Sequence, residues 1–209
     1  MIALSHLSMT TKFHIVDNFY KEPDLYRSEA LTADYTVVNS KNWETGFLKN
    51  NWPGVSTEPM PVPKDLDYKI SKLLNKPVRS VNPGLYRRAL AGDKPGLFCH
   101  IDNIPQHSVK KIYTGVVYLT LDEYCKGKHG TNFFRHKATG LEKVSNLIEY
   151  NTVWNDFQKS DAWELTDSIE MKYNRLLLID GEYFHSPAEC FGTDKYSAVY
   201  KQIFSFIEI

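Results

Sequence analysis

The stretch that decides the reading is Cys99-His100-Ile101-Asp102-Asn103 (CHIDN). It ends a short β-like run over Leu97–Ile101. Alternate residues of a strand point to the same side, so His100 and Asp102 can converge while Ile101 faces away. Two imidazoles and one carboxylate on one face of an ion, with the opposite face open, form the ligand set of a non-haem iron(II) centre. The second imidazole is His185, far along the chain, after the apolar run Leu176–Ile179 and the turn Asp180-Gly181. The His-x-Asp pair alone says little. With 7 histidines and 13 aspartates in 209 residues it is expected about 0.4 times by chance. Taken alone, His100 is equally a turn histidine beside a capping aspartate. The weight comes from context, because both histidines close β runs.

Outward from this motif the texture is β. Short runs over Leu85–Leu90, Leu97–Ile101, Ile112–Thr120, Thr131–His136, Leu176–Ile179 and Tyr196–Ile207 are separated by turn residues. This pattern predicts a sandwich or barrel of antiparallel strands. Upstream, Phe13–Asp17 reads as a strand. Glu22-Pro23-Asp24 opens a helix to about Leu31, and Asp65–Leu74 carries Leu66, Ile70, Leu73 and Leu74 on one helical face. Asn39–Pro63 is rich in turn residues and holds Trp43 and Trp52, which read as hydrophobic anchors of an ordered loop. Asn151–Lys159 reads as a helical insertion. The expectation is one domain over 1–209, with 1–81 as helical and loop support and 82–209 as the β core.

Composition narrows the function. The 25 basic and 25 acidic residues cancel, so no basic field marks a partner of duplex nucleic acid or of an anionic membrane. No apolar run is long enough to span a bilayer, and residues 1–10 lack the features of a signal peptide. The three cysteines, Cys99, Cys125 and Cys190, form no CxxC pair, which argues against a thiolate zinc site or a disulfide framework and for a reducing, cytoplasmic setting. Cys99, adjacent to His100, is expected on the opposite, core-facing side.

Together the His100-x-Asp102…His185 pattern and the stretches FHIVDNFYKEPDLYRSEAL, CHIDN, YTGVVYLT, GTNFFRHKATG and NRLLLIDGEYFHSPAECFG resemble the Fe(II)- and 2-oxoglutarate-dependent oxygenases, most closely a largely uncharacterised bacterial and phage group among them. The resemblance implies a mainly β, α+β fold with a double-stranded β-helix (jelly-roll, cupin-like) core. It implies iron(II) on His100, Asp102 and His185, and 2-oxoglutarate as cosubstrate. It further implies hydroxylation with release of succinate and CO2, and the neutral charge favours a small molecule, amino acid or peptide as substrate over duplex nucleic acid, a modified nucleotide or flipped base staying open. The intact Asp102 argues against halogenation, for which related enzymes carry a small residue at that place. The C5 carboxylate of 2-oxoglutarate needs a cation and a hydroxyl. Lys195, ten residues beyond His185, and Ser197 fill those places, with Lys201, Arg175 and Arg88 as other cations. Many relatives have arginine where Lys195 stands. Tyr118 is expected either to hydrogen-bond the cosubstrate or to fill the core.

Tyr86, Arg88 and Arg135 are candidate substrate contacts. His107 reads as a loop histidine and His136 as a strand-capping one. No separate protein acid or base is assigned. The competing readings are a cupin-type metal enzyme without 2-oxoglutarate and a non-catalytic binding module on the same fold. Oligomeric state is open.

Overall fold

The structure, a computed structural model, describes residues 11–35, 52–94, 98–105 and 110–209, apart from the side chains of residues 82 and 83. Trp43 and His107 therefore lie outside the described residues. Nine strands form two antiparallel sheets: β1 (Phe13–Val16), β2 (Val55–Ser56), β3 (Val78–Ala89), β4 (Ile112–Tyr118), β5 (His129–His136), β6 (Trp163–Glu170), β7 (Arg175–Asp180), β8 (His185–Pro187) and β9 (Val199–Glu208). The major sheet runs β1-β7-β4-β9-β3-β2 and the minor sheet β6-β5-β8. Their inner faces oppose one another in a double-stranded β-helix, the mainly β, helix-flanked fold that the sequence predicts.

Alternation along each strand builds three layers. On β4 and β7, Val116, Tyr118, Leu177 and Ile179 face inward and meet Phe133 of β5 between the sheets. The intervening Tyr113, Val117, Leu176 and Leu178 face outward. That outer face is not wet. It is covered by α1 (Pro23–Thr32) and α2 (Leu66–Leu74), which contribute Ala30, Leu66 and Ile70 to its core. Pro23 starts α1 where its missing N–H costs nothing. Asn75 ends α2 in the left-handed conformation. The minor sheet is sealed on its outer side by Cys99, Phe134, Tyr150, Phe157, Trp163 and Phe184, where the rings of Phe157 and Trp163 lie parallel.

Several boundaries differ from expectation. β3 begins at Val78, so a division at residue 81 falls inside a strand, and β1 adds an N-terminal strand to the core sheet by pairing with β7. β6 is polar along most of its length, with Thr166, Asp167 and Ser168 half-buried, which hides a strand from a hydrophobicity-based reading. The helix near residue 151 starts earlier, as α4 (Leu147–Val153), α3 being a single turn over Asp122–Cys125. Residues 98–101 form no strand; His100 makes one isolated bridge.

Leu178 is fully buried between the major sheet and the helices. Leu178→Ala is expected to cost about 2–5 kcal/mol of stability by urea unfolding, with the denaturant slope unchanged.

Candidate metal centre

His100 and His185 are joined by backbone before their side chains meet. His100 N–H donates to the His185 carbonyl at 3.0 Å, and His185 N–H donates back to the His100 carbonyl at 2.9 Å. This antiparallel bridge pins a loop residue to the first residue of β8 and sets the two rings side by side, centroids 4.3 Å apart. Asp102 is brought in differently. Its N–H and that of Asn103 both donate to the Gly181 carbonyl at 2.9 Å, which folds the chain against the β7–β8 turn. The approach is tight. A Cβ on Gly181 would lie 2.8 Å from the Ile112 carbonyl and 3.2 Å from Asn103 N. The strand alternation expected for His100 and Asp102 is thus replaced by a bridge followed by a bend.

One ligand atom from each of His100, Asp102 and His185 lies within 4.8 Å of the others. His185 Nε2 is 3.3 Å from Asp102 Oδ2, and His100 Nε2 is 3.7 Å from Asp102 Oδ1. Adjacent ligands about 2.1 Å from an ion sit about 3 Å apart, so a small inward shift completes one face of a coordination sphere. The outer contacts orient these groups. His185 Nδ1 donates to the Tyr183 carbonyl at 2.9 Å, which aims Nε2 at the centre. Thr114 of β4 donates its hydroxyl to Asp102 Oδ2 at 2.5 Å. His100 Nε2 is buried without a hydrogen-bond partner. Such an atom is costly to leave bare and suits a metal. The donor set fits a divalent ion that accepts two nitrogens and an oxygen.

The charges agree with that. Burial, aided by the charge of His185, drives the pKa of His100 down to about 3, so it is neutral at pH 7. Burial opposes ionisation of Asp102, but the positive charge of His185 overrides it and holds the carboxyl well below its usual range. His185 is raised, because Asp102 outweighs the effect of burial. These charges favour a divalent cation at this point, whose binding would displace any proton carried by the ligand nitrogen of His185.

A row of inward residues crosses the major sheet beside the triad. Register pairs Tyr118 of β4 with Lys201 of β9, and Lys201 with Arg87 of β3. Lys201 Nζ donates to the Gly130 carbonyl at 2.7 Å and lies 5.7 Å from the centre of the Tyr118 ring. Burial lowers its pKa to about 8. The Tyr118 hydroxyl is 2.8 Å from the Thr131 hydroxyl. A Cβ on Gly130 would strike the Tyr118 ring at 2.6 Å, so only glycine lets the tyrosine lie there.

The other expected contacts fall elsewhere. Lys195 is exposed in a turn, its ammonium 4.9 Å from the Tyr196 ring. Ser197 caps that turn, donating to Asp194 Oδ1 at 2.9 Å and accepting from Thr193 N at 3.2 Å. The placement of Lys195 and Ser197 on a strand next to the cosubstrate is thereby corrected: the connection from Pro187 to Val199 is long, and β9 starts after both. Tyr86 and Arg88 do share a face of β3, but it is the outer one. The Tyr86 hydroxyl donates to Glu29 at 2.7 Å, and Arg88 lies 4.6 Å over the Tyr35 ring. Arg135 is tied to Glu142 and Glu164 on the surface. Arg175 is paired with Asp17 at 2.6 Å. His136, the last residue of β5, is buried with its ring between Thr139 and Asp156. Sequence reading missed Thr114 and Arg87. It favoured an anchoring role for Trp52 over closure of its loop across a site, whereas the Trp52 ring meets His100 edge-on at 4.4 Å.

Residues 94–189 match the model of a family of unknown function (DUF6445). No curated protein matches the chain's sequence. Among solved structures, HygX from Streptomyces hygroscopicus with nickel, 2-oxoglutarate and hygromycin B bound is similar, with TM-score 0.60 and 11% identity over 95% of this chain and 84% of that one. The iron-bound form of HygX gives TM-score 0.54 at 11% identity, over 95% and 83%. The 2-oxoglutarate complex of the viral collagen prolyl hydroxylase vCPH from Paramecium Bursaria Chlorella virus-1 gives TM-score 0.52 at 12% identity, over 95% and 97%. These likenesses show the fold class, a double-stranded β-helix.

Gly181→Ala is expected to weaken divalent-ion binding at least tenfold by calorimetric titration, since displacing Asp102 by a few tenths of an ångström costs on the order of 1–3 kcal/mol. Tyr86→Phe, on the outer face, is expected to lower stability by about 1 kcal/mol and leave ion affinity unchanged.

Proposed function

We propose that this chain is an Fe(II)- and 2-oxoglutarate-dependent oxygenase that hydroxylates a small molecule, amino acid or peptide. The observation that carries the reading is the convergence of His100, Asp102 and His185, with an unpartnered His100 nitrogen, inside a double-stranded β-helix. In this reading the two imidazoles and Asp102 hold iron(II) from one side and leave the other open. Iron and 2-oxoglutarate, when bound, supply the oxidising chemistry, in which decarboxylation of the cosubstrate to succinate and CO2 accompanies oxygen activation.

The chain's residues do the rest. Lys201 offers the buried positive charge that the C5 carboxylate needs, and the Tyr118 and Thr131 hydroxyls lie on the same side as hydrogen-bond donors. Lys201 takes the role expected of Lys195, because it faces the interior and Lys195 faces solvent. Thr114 and the Tyr183 carbonyl fix the orientation of Asp102 and His185. Phe133, whose ring centre is 6.0 Å from that of His185, and Trp52 against His100 exclude water from two sides of the centre.

Anaerobic titration with Fe(II) and 2-oxoglutarate is expected to give a visible charge-transfer band in the wild type that Asp102→Ala lacks. Iron binding without a 2-oxoglutarate band would instead favour a cupin-type enzyme. The Lys201 assignment has its own pH signature. An anion binds the protonated amine, present below about pH 8 and lost as pH rises through that value. Affinity for 2-oxoglutarate is therefore expected to fall about tenfold between pH 7 and pH 9. Lys201→Arg should flatten that profile. Lys201→Ala should weaken binding about 10- to 100-fold at pH 7, whereas Lys195→Ala should change it less than about twofold.

A further inference from the structure

The interior holds one more cation than this site uses. Arg87 lies directly across the ladder from Lys201 on the inner face. Like charges directly opposite one another repel, and here each is only partly exposed to water. Arg87 Nε is buried without a hydrogen-bond partner, and among the described residues the guanidinium donates no hydrogen bond. Its carbon lies 4.0 Å from the centre of the Trp52 ring, and that ring meets His100. Asp102 is the acid whose charge reaches Arg87, at a distance beyond an ion pair. With iron(II), the 2-oxoglutarate dianion, Asp102 and Lys201 in place, the charges cancel, and Arg87 is left over.

We propose that Arg87 is a specificity-determining residue that receives an oxyanion of the substrate, so that the substrate carries a carboxylate or a phosphate. The proposal rests on the function given above. The two cations part company across the barrel. Lys201 leans toward Gly130, Tyr118 and the minor sheet, whereas Arg87 lies under Trp52 on the His100 side. That separation assigns Lys201 to the cosubstrate and Arg87 to a second anion. The planar guanidinium suits two-point binding of an oxyanion, and stacking on Trp52 fixes its plane in advance. Arg87 is only partly buried, so the fork can be reached while Nε is sealed. A neutral or cationic substrate would leave this charge uncompensated beside the centre.

The test uses the full chain, anaerobic and loaded with Fe(II) and 2-oxoglutarate, with tryptophan fluorescence as the readout. Acetate and methyl phosphate are the probes, and acetamide is the neutral control. The expected result is saturable quenching by at least one anion, weakened at least tenfold in Arg87→Gln, largely kept in Arg87→Lys, and absent with acetamide. The tighter anion names the substrate's group. The charge-transfer band with 2-oxoglutarate should titrate alike in wild type and Arg87→Gln. Anion binding that ignores Arg87→Gln, or no anion binding at all, overturns the proposal. So does a more than tenfold loss of 2-oxoglutarate affinity in Arg87→Gln, which would assign Arg87 to the cosubstrate. If the wild type forms no band, the proposed function fails, and the same titration on the metal-free chain still decides whether Arg87 receives an anion.

Discussion

The site depends on two reciprocal backbone hydrogen bonds between His100 and His185. They join a loop that precedes β4 to the first residue of β8, and without them the imidazoles would belong to separate parts of the molecule. Backbone pairing is a cheap way to place two side chains, because adjacent rungs of an antiparallel ladder hold their Cβ atoms within about 5.5 Å. The sheets and helices keep that bridge in register. β5 pairs with β8, setting Phe133 opposite His185, and the apolar layer on the outer side of the minor sheet buries Cys99 next to His100. The third ligand is held by a glycine carbonyl and a hydroxyl, so each arm of the triad has its own support.

Charge is arranged around that bridge with little redundancy. Many charged residues pair with an opposite charge, as Lys12 does with Glu142 and Asp167, or Arg175 with Asp17. The barrel interior is different: among the described residues Lys201 and Arg87 form no ion pair there. Unpaired buried charge destabilises a fold unless a ligand supplies the missing partner. The simplest account of its presence is that the ligands are ionic: a divalent cation at the triad and anions at the two basic side chains.

Much of this was legible in the chain itself. The triad was, from the His100-x-Asp102 pair and the distant His185, although His100 sits in a loop and His185 begins a strand where each was expected to close a β run. The β core was, from its short runs and turns; the first helix was, from its Pro23 start, and the second from the spacing of its apolar residues. The proposed move of the cosubstrate cation from Lys195 to Lys201, one of the other cations considered, follows from the β8–β9 connection: spacing from His185 assumes a short one, and eleven residues intervene here. Arg87 was passed over for a different reason. The alternation on β3 correctly groups Tyr86 with Arg88, but both faces of that strand are covered, one by helices and one by the opposing sheet. Polarity then carries no information about which face is inside. Thr114 could not be seen, since its role exists only once the Asp102 bend is formed. β6 was hidden by its polar composition.

The most direct measurement is diffraction from crystals soaked anaerobically in Fe(II), with an anomalous map at the iron edge. The account predicts a single strong peak about 2.1 Å from Nε2 of His100, Nε2 of His185 and one carboxylate oxygen of Asp102. An empty map at that point, with the three side chains unmoved, would contradict it.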